Sequence, residues 1–404
     1  MQTAAAVPRP ELLTRLAERQ AERERGGLLR RLRAVEQAQG PRVRVDGREL
    51  LAFCSNDYLG LARHPQLIEA LRRAAGDCGV GGTAAHLVIG HHREHAALEA
   101  ELADWTGRER ALLFSTGYAA NLGALQALLG TDDLCVQDRL NHACLLDGAR
   151  LAGCTLKRYP HADVTGAARQ LATAPRAAAL VASDGVFSMD GDLAPLAGLA
   201  ALCAREQATL MIDDAHGLGV LGPQGAGSVA AAGLAQTDVP VLMATLGKAL
   251  GCAGAFVAGA AALIDGLTQF ARSYVYSTAL PPALAATARV AVALARRSDD
   301  RRTHLAALIA RFRTGAAQLG LPLAASTTPI QPLLLGDSTA ALRAAAALEA
   351  RGLLVIAIRP PTVPAGTARL RITLSAAHDA ADVDRLLAAL AEVVPPLLPA
   401  EPAP

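Results

Sequence analysis

The chain has 404 residues, 52% of them apolar, 19% charged and 3% aromatic, which suits one to three globular domains with a sizeable core. Lys and Arg total 39 against 37 acids, a formal net charge of +2, so no basic field points to nucleic acid or an anionic membrane as a partner. No basic stretch followed by an apolar run opens the chain, its longest apolar stretch (249–264) is mostly Ala and Gly, and its seven cysteines include no C-x-x-C pair; a cytoplasmic protein without signal peptide, membrane span, disulfide framework or zinc knuckle is expected.

In chain order, the charges and leucines of residues 11–33 predict an N-terminal amphipathic helix, the core of a helical segment over 1–50. A strand over 49–53, a polar turn (Cys54 to Asp57) and a helix over 65–75 follow. Apolar runs at 111–114, 134–136, 177–182, 209–212, 239–244 and 255–258 read as strands, and helical patterns lie between them at 94–105, 119–129, 143–152, 164–173 and 196–205. This alternation predicts an α/β domain with a mainly parallel sheet over 51–285. A long helical pattern over 281–320 leads into a smaller C-terminal α+β domain, 286–394, with strands at 330–335, 353–357 and 368–373 and a helix at 380–393. The proline-rich tail, 395–404, is expected to be disordered.

Three motifs are set aside. Gly217 to Gly222 matches G-x-G-x-x-G, but a loop follows it where a dinucleotide site needs a helix. His91 and His95 have the i, i+4 spacing of metal ligands beside His86 and His92, yet the string is H-H-R-E-H; it reads as a helix start with capping or packing imidazoles, and no metal is expected. Ser188, Asp214 and His216 could be cast as a hydrolase triad, but Ser188 lacks the G-x-S-x-G elbow.

Only two of the 39 basic residues are lysines, Lys157 and Lys248. Where Arg is written for almost every cation, a Lys stands either by chance or where an amine able to lose its proton is needed, which makes both candidates. Lys157 lies beside Arg158 with no Gly or acid nearby and reads as a surface residue. Lys248 stands in Thr245-Leu246-Gly247-Lys248, after a strand, 35 residues beyond Asp213, which ends another strand and precedes His216 by three. Groups at the carboxyl ends of parallel strands face the crevice where such sheets bind ligands. A carboxylate and a Schiff-base lysine are what pyridoxal 5'-phosphate needs, the Asp keeping the pyridine nitrogen protonated. Ser115-Thr116-Gly117-Tyr118 supplies a strand, a turn and a helix N-terminus for the phosphate, and His142 ends a further strand at the same edge.

These strings, with Gly185-Val186-Phe187-Ser188-Met189-Asp190-Gly191-Asp192, resemble the α-oxoamine synthases of the fold-type-I pyridoxal phosphate enzymes, from about Arg30 to Val393. The resemblance implies a large domain with a mainly parallel seven-stranded sheet and a small α+β domain. It implies an acyltransferase in which Lys248 holds the cofactor and serves as the base. Asp213 would pair with the pyridine nitrogen, His216 with the ring hydroxyl, and His142 would stack on the ring. The backbone of Gly117 and Tyr118, with Ser188 and Thr245, would complete the cofactor site, and Ser277 and Thr278 would reach the phosphate from a second subunit of a homodimer.

For the substrate, Arg359 would clamp the amino-acid carboxylate, while Thr362, Arg30 and Asn56 would contact or position it. The strings at 55–60 and 357–371 look most like the family's alanine-using branch, which implies L-alanine and a pimeloyl thioester, carried on acyl carrier protein or coenzyme A. The glycine-using relatives and serine palmitoyltransferase are the alternative. One departure is Asp184, where the family commonly has Glu; its contact is expected to be lengthened or bridged by water. The Gly-rich loop at 79–86 is a second departure, where relatives often have Ser and Arg or His.

Overall fold

The computed structural model describes Arg9 and residues 11–398. Its first 50 residues depart from the helical segment that their pattern predicts. The helix Leu12–Arg25 stops at Gly26-Gly27, where Gly27 takes a φ of +63°. An antiparallel meander follows, of β1 (Val35–Gln39), β2 (Arg42–Val45) and β3 (Arg48–Ala52). The signals for it are local: Arg and Val alternate through β2 with period two, and Asp46-Gly47, both at positive φ, make the two-residue turn into β3.

The main sheet holds β4 (Arg110–Phe114), β5 (Leu134–Asp138), β6 (Thr155–Tyr159), β7 (Ala179–Asp184), β8 (Thr209–Asp213), β9 (Val241–Thr245) and β10 (Ala255–Gly259). Its order is β4-β10-β9-β8-β7-β5-β6, and only β10 runs antiparallel to its neighbours. The seven-stranded, mainly parallel sheet is thus present. Its member β6 has no apolar run because this edge strand is largely solvated, and Lys157 lies on it, half-buried. Alternation along the central strands sends Cys135, Leu180, Ala182, Met211 and Met243 into one apolar cluster, and Leu134, Val136, Val181, Leu210, Ile212 and Leu242 into another. Helices cover both faces, as a buried parallel sheet requires.

The long helical pattern over 281–320 is two helices, Pro282–Arg296 and Asp299–Gln318, broken where Ser298 turns its hydroxyl onto the carbonyl of Leu294. Beyond it lie β11 (Ile330–Gly336), β12 (Leu353–Leu354), β13 (Ile356–Ile358) and β14 (Ala368–Thr373), with the helices Ser338–Ala350 and Ala380–Val393. Strand order in the small sheet is β11-β14-β13, while β12 pairs in parallel with β3. A boundary at residue 50 therefore cuts through one continuous sheet, in which β3 pairs with β2 on one side and with β12 of the C-terminal unit on the other. Of the tail, Pro395–Leu397 forms one 3-10 turn, and residues 399–404 lie outside the described residues.

Candidate active site

Four strands of the large sheet deliver the site. β8 ends in Asp213, β7 in Asp184, β5 leads to His142 and β9 to Lys248, all at carboxyl ends. They surround a cavity of about 200 Å³ whose lining includes Gly117, Tyr118, His142, Ser188, Asp213, His216, Thr245 and Lys248, and also Asn121, Cys144 and Asp184. A second cavity of about 280 Å³ shares His142, Ser188, His216 and Lys248 with the first and adds Cys54, Asn56, Met189, Ile356, Ile358 and Arg371. The two compartments meet at Lys248.

The amine of Lys248 lies 2.8 Å from Nε2 of His216, whose Nδ1 is 2.5 Å from the hydroxyl of Tyr58. Burial lowers the pKa of Lys248, against the pull of Asp213 and Asp184. Burial and the nearby Lys248 hold His216 well below its usual value, so its imidazole is neutral. Asp213 is buried and accepts from Asn121 Nδ2 at 2.7 Å and from the Ala215 amide at 3.0 Å. Asp184 accepts the backbone N–H of His142 through both oxygens, at 3.2 and 3.3 Å, so the shorter acid reaches directly and caps the turn that presents the imidazole. Burial, then Asp213, raises its pKa well above the ordinary value.

Pyridoxal phosphate fits this donor set. The buried carboxylate of Asp213 and the amine of Lys248 line the same cavity, whose rim carries the N-terminus of the helix Gly117–Leu128, capped by Thr116. A buried acceptor, Asn121 Oδ1, stands without a partner beside it. Thr245 Oγ1 donates to the Gly254 carbonyl and accepts from the Gly247 amide, which fixes the turn before Lys248. Within one chain Thr278 offers only its carbonyl, to Ser115 Oγ at 3.4 Å; its side chain is exposed and Ser277 is half-buried.

The substrate residues divide. Asn56 lines the second cavity, but Arg359 lines neither, its guanidinium donating to the carbonyl of Gly27. Beside it Arg30 Nη2 donates to Thr362 Oγ1 at 3.1 Å, a contact that does not reach Lys248. Arg359 follows the end of β13, in a proline loop, whereas Arg371 sits inside β14 with Arg369 two residues earlier on the same face. That face meets the loop 188–190: Arg371 Nε donates to the Ser188 carbonyl at 2.7 Å, and Arg369 pairs with Asp190 at 2.5 Å. Arg371 also donates to Asn56 Oδ1, at 3.3 and 3.4 Å. Arg371 is therefore the guanidinium at the cavity. The alternation Arg369-Leu370-Arg371 is the signal for it, and Asn121 is signalled by its position one helical turn after Gly117.

The motifs set aside resolve structurally. Gly217 is required because a Cβ there would lie 2.1 Å from Asp214 Oδ1. Asp214 bonds Ser228, not His216, and burial pushes its pKa up to about 7. His86, His91 and His95 do converge, with ligand atoms within 4.8 Å of one another. His95, however, commits Nε2 to the Leu280 carbonyl and Nδ1 to the His92 amide, and His86 stacks on Tyr274.

A family model described as aminotransferase class I and II matches residues 48–390. An 8-amino-7-oxononanoate synthase of Pseudomonas putida is 59% identical over 382 residues, covering 95% of this chain and 98% of its own. Among solved structures, a serine palmitoyltransferase variant from S. paucimobilis with bound PLP-myriocin superposes with a TM-score of 0.90 at 28% identity, over 95% of this chain and 98% of that one. An 8-amino-7-oxononanoate synthase from Francisella tularensis does so at 0.75 and 28%, over 85% and 97%.

Proposed function

The chain belongs to the class I and II aminotransferase family and, within it, to the 8-amino-7-oxononanoate synthases, and from that premise we propose that it condenses L-alanine with a pimeloyl thioester. Its cofactor is pyridoxal 5'-phosphate. In the net reaction the alanine α-carbon bonds to the thioester carbonyl, the thiol leaves, and the alanine carboxylate departs as carbon dioxide, giving 8-amino-7-oxononanoate. One observation carries the reading: a compartment holding Asp213 and a helix N-terminus meets, at Lys248, a second compartment walled by Asn56 and Arg371.

Pyridoxal phosphate, when bound, supplies an electron sink that lets an amino-acid α-carbon give up a proton and act as a nucleophile. Asp213, held by Asn121 and the Ala215 amide, presents an anionic acceptor to a protonated ring nitrogen. Lys248, its pKa lowered by burial, takes and returns the α-proton at Nζ, and His216 at 2.8 Å steadies that amine. His142 forms one wall of both compartments and restricts how the α-carbon is presented. Arg371, fixed by Ser188 and Asn56, binds the alanine carboxylate in place of Arg359, a task suited to a planar guanidinium. Arg30, Thr362 and Arg359 form a cluster outside both cavities, which we assign to the acyl end of the substrate.

We read the active protein as a cytoplasmic homodimer. The support is an exposed apolar surface, with Val80, Val88, Ile89 and Tyr276 each more than 70% exposed beside the segment that carries Ser277 and Thr278. Among the described residues no helix is long and apolar enough to cross a membrane.

The test supplies the cofactor-loaded protein with pimeloyl thioester and alanine, glycine or serine in turn, and measures released thiol and carbon dioxide. Release of both with alanine alone is expected, whichever carrier bears the acyl group. Turnover with only glycine or serine would move the chain to a sister activity, and thiol release without any amino acid would overturn the reading.

A further inference from the structure

Cys144 lines the cofactor compartment, yet none of the steps above uses it. Its surroundings are specific. Asn121 Nδ2, which donates to Asp213 Oδ2 at 2.7 Å, also reaches Cys144 Sγ at 3.0 Å, and Sγ lies 2.8 Å from Nδ1 of His142. The Cys144 amide donates to the same Nδ1 at 3.3 Å. An amide N–H can only donate, so Nδ1 is the unprotonated nitrogen and the ring proton sits on Nε2. Sγ then receives an N–H from Asn121 and must donate its own proton to Nδ1. The thiol can do so because burial, followed by the charge of Asp213, pushes its pKa up to about 12 and keeps the S–H intact.

We propose that Cys144 is a positioning residue, whose thiol donates to Nδ1 of His142 and, through Asn121, ties the imidazole to the carboxylate of Asp213. The inference rests on the reading of this cavity only for its consequence, a fixed His142 wall with its Nε2–H set. Its test needs neither cofactor nor substrate. A donor at Nδ1 favours neutral imidazole, so removing it raises the His142 pKa. The other groups facing His142 are Asp213 from β8, Lys248 from the turn after β9, Asp147 on its own helix, Asp184 from β7, and His216. None of them hydrogen-bonds Cys144 itself.

The experiment is 15N NMR of the histidine rings in cofactor-free protein, as wild type, Cys144→Ala and Cys144→Ser, with His142 identified by its own substitution. The wild type should carry the proton on Nε2. Cys144→Ala should raise the His142 titration midpoint by about half a pH unit or more, and Cys144→Ser, which restores a donor, should bring it back. If both variants titrate with the wild type, the thiol does not position the ring. A wild-type proton on Nδ1 overturns the proposal whether or not the variants fold. Failure of alanine turnover with the NMR result intact would instead count against the proposed substrate.

Discussion

Lys248 Nζ and His216 Nε2 lie 2.8 Å apart, and the amine further lowers the proton affinity that burial already reduces in the imidazole. The imidazole therefore accepts rather than competes for charge, and the amine is the group left to exchange a proton. Lys248→Ala and Lys248→Arg should both lose alanine-dependent carbon dioxide release by about 10³-fold, since guanidinium does not deprotonate near neutral pH. An Arg variant with near wild-type turnover would refute Lys248 as the base.

Arg371 and Arg359 separate by steady-state kinetics. Arg371→Lys removes bidentate contact inside the cavity and should raise KM for alanine by about 10-fold or more, the scale of a charge-assisted hydrogen bond. Arg359→Lys should affect the thioester KM more than that of alanine. The reverse pattern would return the carboxylate to Arg359.

His161 provides the pH test. Its ring lies 3.1 Å from Asp138 and 2.7 Å from Asp192, and stands edge-on to Phe187. Burial opposes its charge, but the two carboxylates outweigh burial and raise its pKa to about 10. A raised folded-state pKa stabilises fully below the unfolded value near 6.5 and is lost as pH climbs through about 10. The wild type should thus lose more stability than His161→Gln when denaturant midpoints are compared at pH 6.5 and pH 10, and equal losses would rule the clasp out.

Two glycines should respond with opposite signs. Gly217→Ala forces a Cβ onto Asp214 Oδ1 and should destabilise by about 1–3 kcal/mol, the usual cost of overpacking. Gly266, inside the helix Ala261–Phe270, has open space where its Cβ would be, so Gly266→Ala should stabilise by about 0.5–1 kcal/mol. Chemical denaturation of the two variants checks both signs.

Much of the large domain was legible because its central strands are buried on both faces and read as apolar runs, and because Asp213, His142 and Lys248 follow strand ends directly. β1 and the edge strand β6 are largely solvated, so their polar residues mask the strand period, whereas β3 was expected as the strand 49–53 and β2 carries a readable alternation. Arg359 and Arg371 are both arginines near the chain's end, and only the pairing of Ile356 with Arg371 and Ile358 with Arg369 decides which faces the cavity. The tie between Asn121 and Cys144 spans 23 residues and two helices, a contact that no local pattern announces.

The pairing of β12 with β3 has a geometric result for the second compartment. Asn56 follows β3, while Ile356, Ile358 and Arg371 come from β13 and β14, so the wall that carries Arg371 is built from both ends of the chain. Lys248 and His216 belong to the other unit. The separation between the guanidinium of Arg371 and the amine of Lys248 is therefore set by the one buried core that both units share, in which Leu51, Phe53, Leu370 and Ile372 join Leu246 and Leu250.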